Sequence, residues 1–181
     1  MDLKRRHVLA LAGTTLLPLA GCSDTSVGGP RTIGDGEVSP AVPGRAIGPD
    51  EPEELFVSVT SADEADTLFD YGSLSGSKQD EVETFISDTD FGIEVIVYAE
   101  VRVSDTSNVL AVEDVTNEAG DAVVTFVQQQ PTLTADEMEG SVRRALVRVS
   151  GSAGVDSVTV EYSSSGGAPE TYEPQSVGDL E

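Results

Sequence analysis

Histidine and cysteine each occur once in the 181 residues, as His7 and Cys22, and tryptophan is absent. Beyond Cys22 the chain therefore carries neither imidazole nor thiol. That excludes Ser-His-Asp and Cys-His nucleophilic catalysis there, along with histidine acid-base chemistry and ordinary zinc, copper, haem or iron-sulfur ligation. A single cysteine also rules out an intramolecular disulfide, which leaves packing and solvent conditions to stabilise the fold. A Walker-type phosphate loop is missing as well. The pairs Gly28-Gly29 and Gly166-Gly167 sit in stretches poor in apolar residues.

Positive charge is the next scarcity: 10 Lys and Arg stand against 33 Asp and Glu, a formal net charge of -23. Setting aside Asp2, Lys4, Arg5 and Arg6 leaves 7 basic and 32 acidic residues, a net of -25. Nucleic acid and anionic lipid headgroups both need clustered cations to neutralise phosphate, so neither is a partner for this surface. Lys78 is the one lysine after Lys4, and Arg supplies the remaining positive charge. Such acidity signals disorder only where apolar residues are scarce. Here apolar runs are frequent, which favours a folded protein with a surface built for high salt.

The first 22 residues read as a targeting segment. Lys4, Arg5 and Arg6 open it, and an apolar run from Val8 to Ala20 follows, interrupted by Gly13, Thr14, Thr15 and Pro18. That run is too short and too broken for a stable membrane span. Arg5-Arg6 followed by Val8-Leu9 resembles the twin-arginine export signal. Leu19-Ala20-Gly21-Cys22 resembles the lipobox of prokaryotic lipoproteins, in which the cysteine after the cut carries the lipid. Together with the acidic, lysine-poor composition, this leader resembles those of haloarchaeal lipoproteins. The resemblance implies a protein anchored through lipid on Cys22 at the outer face of the cytoplasmic membrane.

Residues 22–54 are dominated by Ser, Gly, Pro, Asp and Glu and read as the lipidated cysteine and a disordered tether. Residues 163–181, opening Ser163-Ser164-Ser165-Gly166-Gly167, read as a disordered tail. Between them, 55–162 shows apolar positions of period two. Leu55 to Thr60 is the first run. In the clearest, Ile93, Val95, Val97, Ala99, Val101 and Val103 share one face while Glu94, Glu100 and Arg102 take the other. Val109–Val115 and Ala122–Gln129 flank Asn117-Glu118-Ala119-Gly120-Asp121 as a hairpin. Val142–Ser150 and Val155–Tyr162 are expected to form a second hairpin around Gly151-Ser152-Ala153-Gly154. Helical period marks 77–87, with Ser77 as cap, and Thr134 with Glu137 suggests a capping box. The expected fold is mainly β: a small antiparallel β-sandwich or open barrel of about six strands with one or two short helices. The stretch Phe85 to Val97 and the strands after it resemble the small all-β domain of accessory proteins in bacterial protease complexes.

Carboxylates are the only abundant reactive groups left. Asp63-Glu64-Asp66 and Asp88-Asp90 are the clusters from which a glycosidase-like pair or a calcium site would be built. Asp88-Thr89-Asp90-Phe91-Gly92 alternates carboxylates as calcium loops do but lacks the rest of the EF-hand spacing, and a solvated acidic surface or turn is the favoured reading. Arg143, Arg144 and Arg148, with Arg102, either meet an anionic partner or offset neighbouring carboxylates. Tyr98 and Tyr162 either form a contact surface or lie at a core edge. The reading that follows is an exported, lipid-anchored binding or structural module of the cell envelope, with an envelope protein, a glycan or a small solute as its contact. It requires no cofactor. Two other readings remain: a carboxylate-only enzyme acting on envelope polysaccharide, and an adhesion domain stabilised by calcium at Asp88 and Asp90. At molar salt the Debye length is only about 3 Å and crowded carboxylates cease to repel one another. Dialysis from molar salt into dilute buffer is thus expected to unfold the chain, as far-ultraviolet circular dichroism would report.

Overall fold

The computed structural model describes residues 29–50, 52–103, 107–130, 142–152 and 154–181. The leader, with Arg5, Arg6 and Cys22, lies outside the described residues, as do Thr134 and Glu137. Three short strands open the fold: β1 (Arg31–Ile33), β2 (Gly36–Val38) and β3 (Gly44–Arg45). β4 (Glu54–Val59), α1 (Ala62–Leu68), β5 (Phe69–Asp70) and α2 (Ser77–Ser87) follow. The long strands are β6 (Val95–Arg102), β7 (Val109–Glu118), β8 (Asp121–Gln129), β9 (Val142–Val149) and β10 (Ser157–Ser163). β11 (Glu170–Tyr172), β12 (Gln175–Ser176) and a 3-10 turn (Val177–Leu180) complete the order.

These twelve strands form a six-stranded sheet β1-β2-β9-β6-β4-β12, a four-stranded sheet β11-β10-β8-β7 and a small β3-β5 ladder. The architecture is mainly β and sandwich-like, with no closed barrel among the described residues. One apolar core fills the space between the two large sheets and contains Phe56, Val97, Val115, Phe126 and Val160. A second lies between the six-stranded sheet and the helices and contains Leu68, Val82, Phe85, Ile96 and Tyr98. The middle sheet is thus covered on both faces.

That double coverage corrects the expected polar face of β6. Val95, Val97, Ala99 and Val101 do share one face, toward the four-stranded sheet. The opposite face carries Ile96 and Tyr98 under the helices, and Glu100 is only 2% exposed. The strand starts at Val95, and Ile93 before it stands out at 51% exposed.

Both segments expected to be disordered are built into the sheets where described and supply five of the twelve strands. β1 and β2 pair as a hairpin, and β2 pairs with β9, Gly36 opposite Val149. Asp35 at the hairpin turn donates its N–H to the Val115 carbonyl (2.9 Å) and accepts from Ser150 N–H (3.0 Å), tying both large sheets together. Gly34 has φ +55°, and a Cβ there would collide with the Val115 carbonyl, so only glycine fits. At the other end β11 pairs with β10 and β12 with β4, and Val177 is buried against the helix-side core. Strands of two or three residues are too short for alternation to register in sequence, and composition alone misleads there.

The second expected hairpin is also corrected. β9 pairs antiparallel with β6 and β2, whereas β10 joins the other sheet parallel to β8. The intervening loop therefore crosses between sheets. The Asn117 side-chain amide donates to the Gly154 carbonyl (3.0 Å), and Asp156 N–H to the Gly120 carbonyl (2.7 Å), which holds the crossing against the β7–β8 turn. That turn is the expected hairpin, with Ala119 at φ 58° and Gly120 at φ 101°, the positive angles a two-residue primed turn needs. α2 spans the expected residues, although Gly76 occupies the cap position in place of Ser77. Among the described residues no helix is long and apolar enough to cross a membrane. Residues 29–181 are expected to melt cooperatively in molar salt, as circular dichroism would report, and a fragment of residues 55–162 to lose that cooperativity, since it lacks the strands bordering β9, β4 and β10.

Candidate functional site

Sequence alternation places Tyr98 and Glu100 on the helix-facing side of β6, and register places Arg144 of β9 directly opposite Glu100. β3 brings a second arginine, Arg45, over the same spot. Glu100 accepts from Arg45 Nη2 (2.9 Å), Arg144 Nε (2.6 Å) and Tyr98 Oη (2.7 Å). Arg45 also donates to the carbonyls of Ile47 (3.0 Å) and Pro49 (2.6 Å), fastening the 45–49 loop above the sheet. The Arg45 side chain is 9% exposed, and its buried Nε has no acceptor among the described residues.

Burial by itself pushes the Glu100 carboxyl up, but the hydrogen bonds from Arg45, Tyr98 and Arg144 outweigh it and hold the group below the usual carboxylate range. Burial first, and the Glu100 charge second, push the Tyr98 hydroxyl up, so it stays protonated and donates. A carboxylate satisfied by three donors and a tyrosine that keeps its proton are poorly placed for proton transfer near neutrality. The cluster's chemistry is that of a buried brace. Sequence pattern missed it because Glu100 was placed on a polar face and Arg45 in a tether; only the register of β6 against β9 reveals the pairing.

The anticipated carboxylate clusters fall at helix ends. Glu64 occupies the first turn of α1, where its N–H donates to the Ser61 hydroxyl (3.2 Å) and its carboxylate accepts from Thr60 N–H (2.6 Å). Asp63 and Glu64 thus sit where a helix N-terminus favours negative charge. Asp66 accepts from Tyr71 Oη (3.3 Å). Asp88 is the exposed C-terminal cap of α2, and Asp90 accepts from Gly92 N–H (3.1 Å) in a tight turn. Between them Thr89 is buried, its hydroxyl donating to the Phe85 carbonyl (2.9 Å). Among the described residues no group of three or more His, Cys, Asp or Glu converges as a cation would require.

The arginine concentration is engaged internally. Arg144 meets Glu100, Arg143 Nε donates to the Asn108 carbonyl (2.8 Å), and Arg148 pairs with Glu37 and lies 4.9 Å over the Phe85 ring. Tyr162 is buried between the sheets beside Phe56, accepts from the Gln128 side chain, and burial followed by the Glu54 charge pushes its hydroxyl up to about 12.

Depressions among the described residues include the following three. One of about 230 Å³ lies beside the Glu100 brace, another of about 380 Å³ runs between α2 and Pro30 and Pro40, and a cleft of about 390 Å³ opens between the sheets near Val158 and Pro174. No family model, curated protein or solved structure matches the chain. Glu100→Gln is expected to destabilise the fold by about 3–5 kcal/mol, because it leaves buried guanidinium charge unpaired. Since the folded carboxyl lies below its unfolded value, its contribution is complete above the ordinary carboxylate range and is lost as pH falls through the depressed value. Urea titrations in molar salt across that acidic window should show a shallower pH dependence in the variant.

Proposed function

We propose that this chain is an exported lipoprotein whose domain acts as a binding or structural module held at the membrane surface by lipid on Cys22. The observation that carries the reading is the position of β1. Among the described residues the first strand starts at Arg31 rather than at Leu55, so eight residues, 23–30, separate the proposed anchor cysteine from it in sequence. Eight residues reach at most about 28 Å, the fully extended length. A domain on so short a leash works within the depth of the headgroups and whatever protein projects from them.

The partner of such a module is another envelope protein on the same membrane. The carboxylate-rich surface offers little to anionic lipid, and Arg45, Arg144 and Arg148 are paired within the fold. The same engagement disfavours nucleic acid. Asp63 and Glu64 lie in the first turn of α1, with Glu64 bonded to Thr60, which weakens the polysaccharide-hydrolysing alternative.

Membrane fractionation tests the reading. The wild-type protein should sediment with membranes and enter the detergent phase, Cys22→Ser should be released in soluble, folded form, and replacement of Arg5-Arg6 by lysines should retain the precursor inside. A Cys22→Ser chain that stays membrane-bound would remove the proposed anchor. Crosslinking in native membranes at molar salt then identifies the partner, expected as one stoichiometric species.

A further inference from the structure

α2 turns one stripe of side chains toward the start of the described chain. Ser77, Asp80, Glu81, Thr84 and Asp88 recur every three or four residues and form one wall of a groove whose other wall is Pro30 and Pro40. Gly29, the first described residue, lies on its border. The prolines present ring carbons, and Phe85 lies in the floor. Arg148 beside it is held by Glu37 and sits 4.9 Å over the Phe85 ring, so the surface facing the groove is mostly carbon. The carboxylates of Asp80, Glu81 and Asp88 stand along the helix side. A volume of about 380 Å³ is that of a small-molecule pocket, enough for a few side chains.

The place of the groove in the chain decides where it works. Seven peptide steps join the proposed anchor Cys22 to Gly29, so the border of the groove lies at most about 25 Å from the lipid, the fully extended length. Charge then narrows what enters. Residues 23–28 of the chain itself offer one apolar side chain, Val27, and would bring Asp24 to an acidic rim. A second copy brings the same net negative charge, and anionic headgroups are repelled in the same way. A segment with apolar residues and a Lys or Arg matches both parts of the groove, its stem lying on carbon while the cation reaches the rim. Contact pairs of this kind persist at molar salt, where the Debye length is about 3 Å. Transmembrane helices carry such residues at their ends, where Lys and Arg extend to the interface.

We propose that the groove between α2 and the two prolines receives the extracytoplasmic end of a neighbouring membrane protein's helix, an apolar segment carrying Lys or Arg. The occupant rests on the lipid anchor at Cys22, which keeps the groove in the layer where such helix ends emerge. The apolar side chains of that segment cover Pro30, Pro40 and the Phe85 floor, and its cation meets Asp80, Glu81 or Asp88.

The test is photocrosslinking of the full chain in native membranes at molar salt. Benzoylphenylalanine replaces Thr84, exposed in the groove, or in a second chain Thr171, exposed on β11 of the other large sheet. The Thr84 probe is expected to give one adduct, mapped by mass spectrometry to residues that flank a transmembrane helix and include Lys or Arg, and the Thr171 probe none. Asp80→Lys combined with Asp88→Lys is expected to cut the Thr84 adduct roughly fivefold, the scale of two exposed ion pairs. Both residues are exposed, so the double variant keeps the fold and its circular dichroism. A chain recovered in the soluble fraction removes the anchor and this proposal with it. With the chain on the membrane, the groove proposal alone is overturned by an adduct to lipid, to a second copy or to residues 22–28, by no adduct, by an equal adduct from Thr171, or by a yield unchanged in the double variant.

Discussion

A carboxylate in the middle of a doubly covered sheet has to be neutralised from the side chains around it, and Glu100 draws its donors from three strands at once. Tyr98 comes from its own strand, Arg144 from the neighbour in register, and Arg45 from β3 across the helix-side layer. Desolvating an ion costs several kcal/mol even after relaxation, so the arrangement is stable only while all three partners are in place. Arg45 makes the brace more than a local pair. Through it the stretch between β2 and β4 is fixed over the sheet, and with that stretch comes the edge hairpin. Removing the carboxylate would strand two cations and free the loop together.

Much of the frame was legible in the residues. Period-two alternation located β4, β6, β7, β8, β9 and β10 within a few positions, because strands of six to ten residues give alternation room to show. The Ala119-Gly120 turn followed from glycine where a positive φ is needed. Three things were hidden. Strands of two or three residues at both ends carry too little pattern and sit in Gly- and Pro-rich composition that imitates a linker. The partner of β10 depends on a crossing loop held by Asn117, and nothing in a run of Gly, Ser and Ala distinguishes a crossing from a hairpin. The brace depends on register: Glu100 opposite Arg144 acquires meaning only when strands are laid side by side.

The charge distribution has a division of labour of its own. Positive groups are few, and Arg45, Arg144 and Arg148 are turned inward onto carboxylates and a ring, while acids crowd the outside. The interior is neutralised by short contacts that salt barely screens, whereas the exterior is repulsive over distances that salt controls. Ionic strength therefore acts on the outer shell and leaves the brace alone. Aromatic residues follow the same layering: Phe56, Phe126, Tyr162 and Tyr172 gather between the sheets, with Phe69, Tyr71 and Tyr98 under the helices.

The six-stranded sheet has β1 at one edge and β12 at the other, and its inner strands arrive in the order β2, β4, β6, β9. Gly36 waits for Val149 before it has a strand neighbour beyond its own hairpin, and Val57 waits for Gln175. Such pairings close long loops, which makes folding slow and places it late. A chain growing from its N-terminus would keep both borders of the sheet open until β9 and β12 emerge, so that completion of the fold belongs to all these elements together and not to any growing part of them.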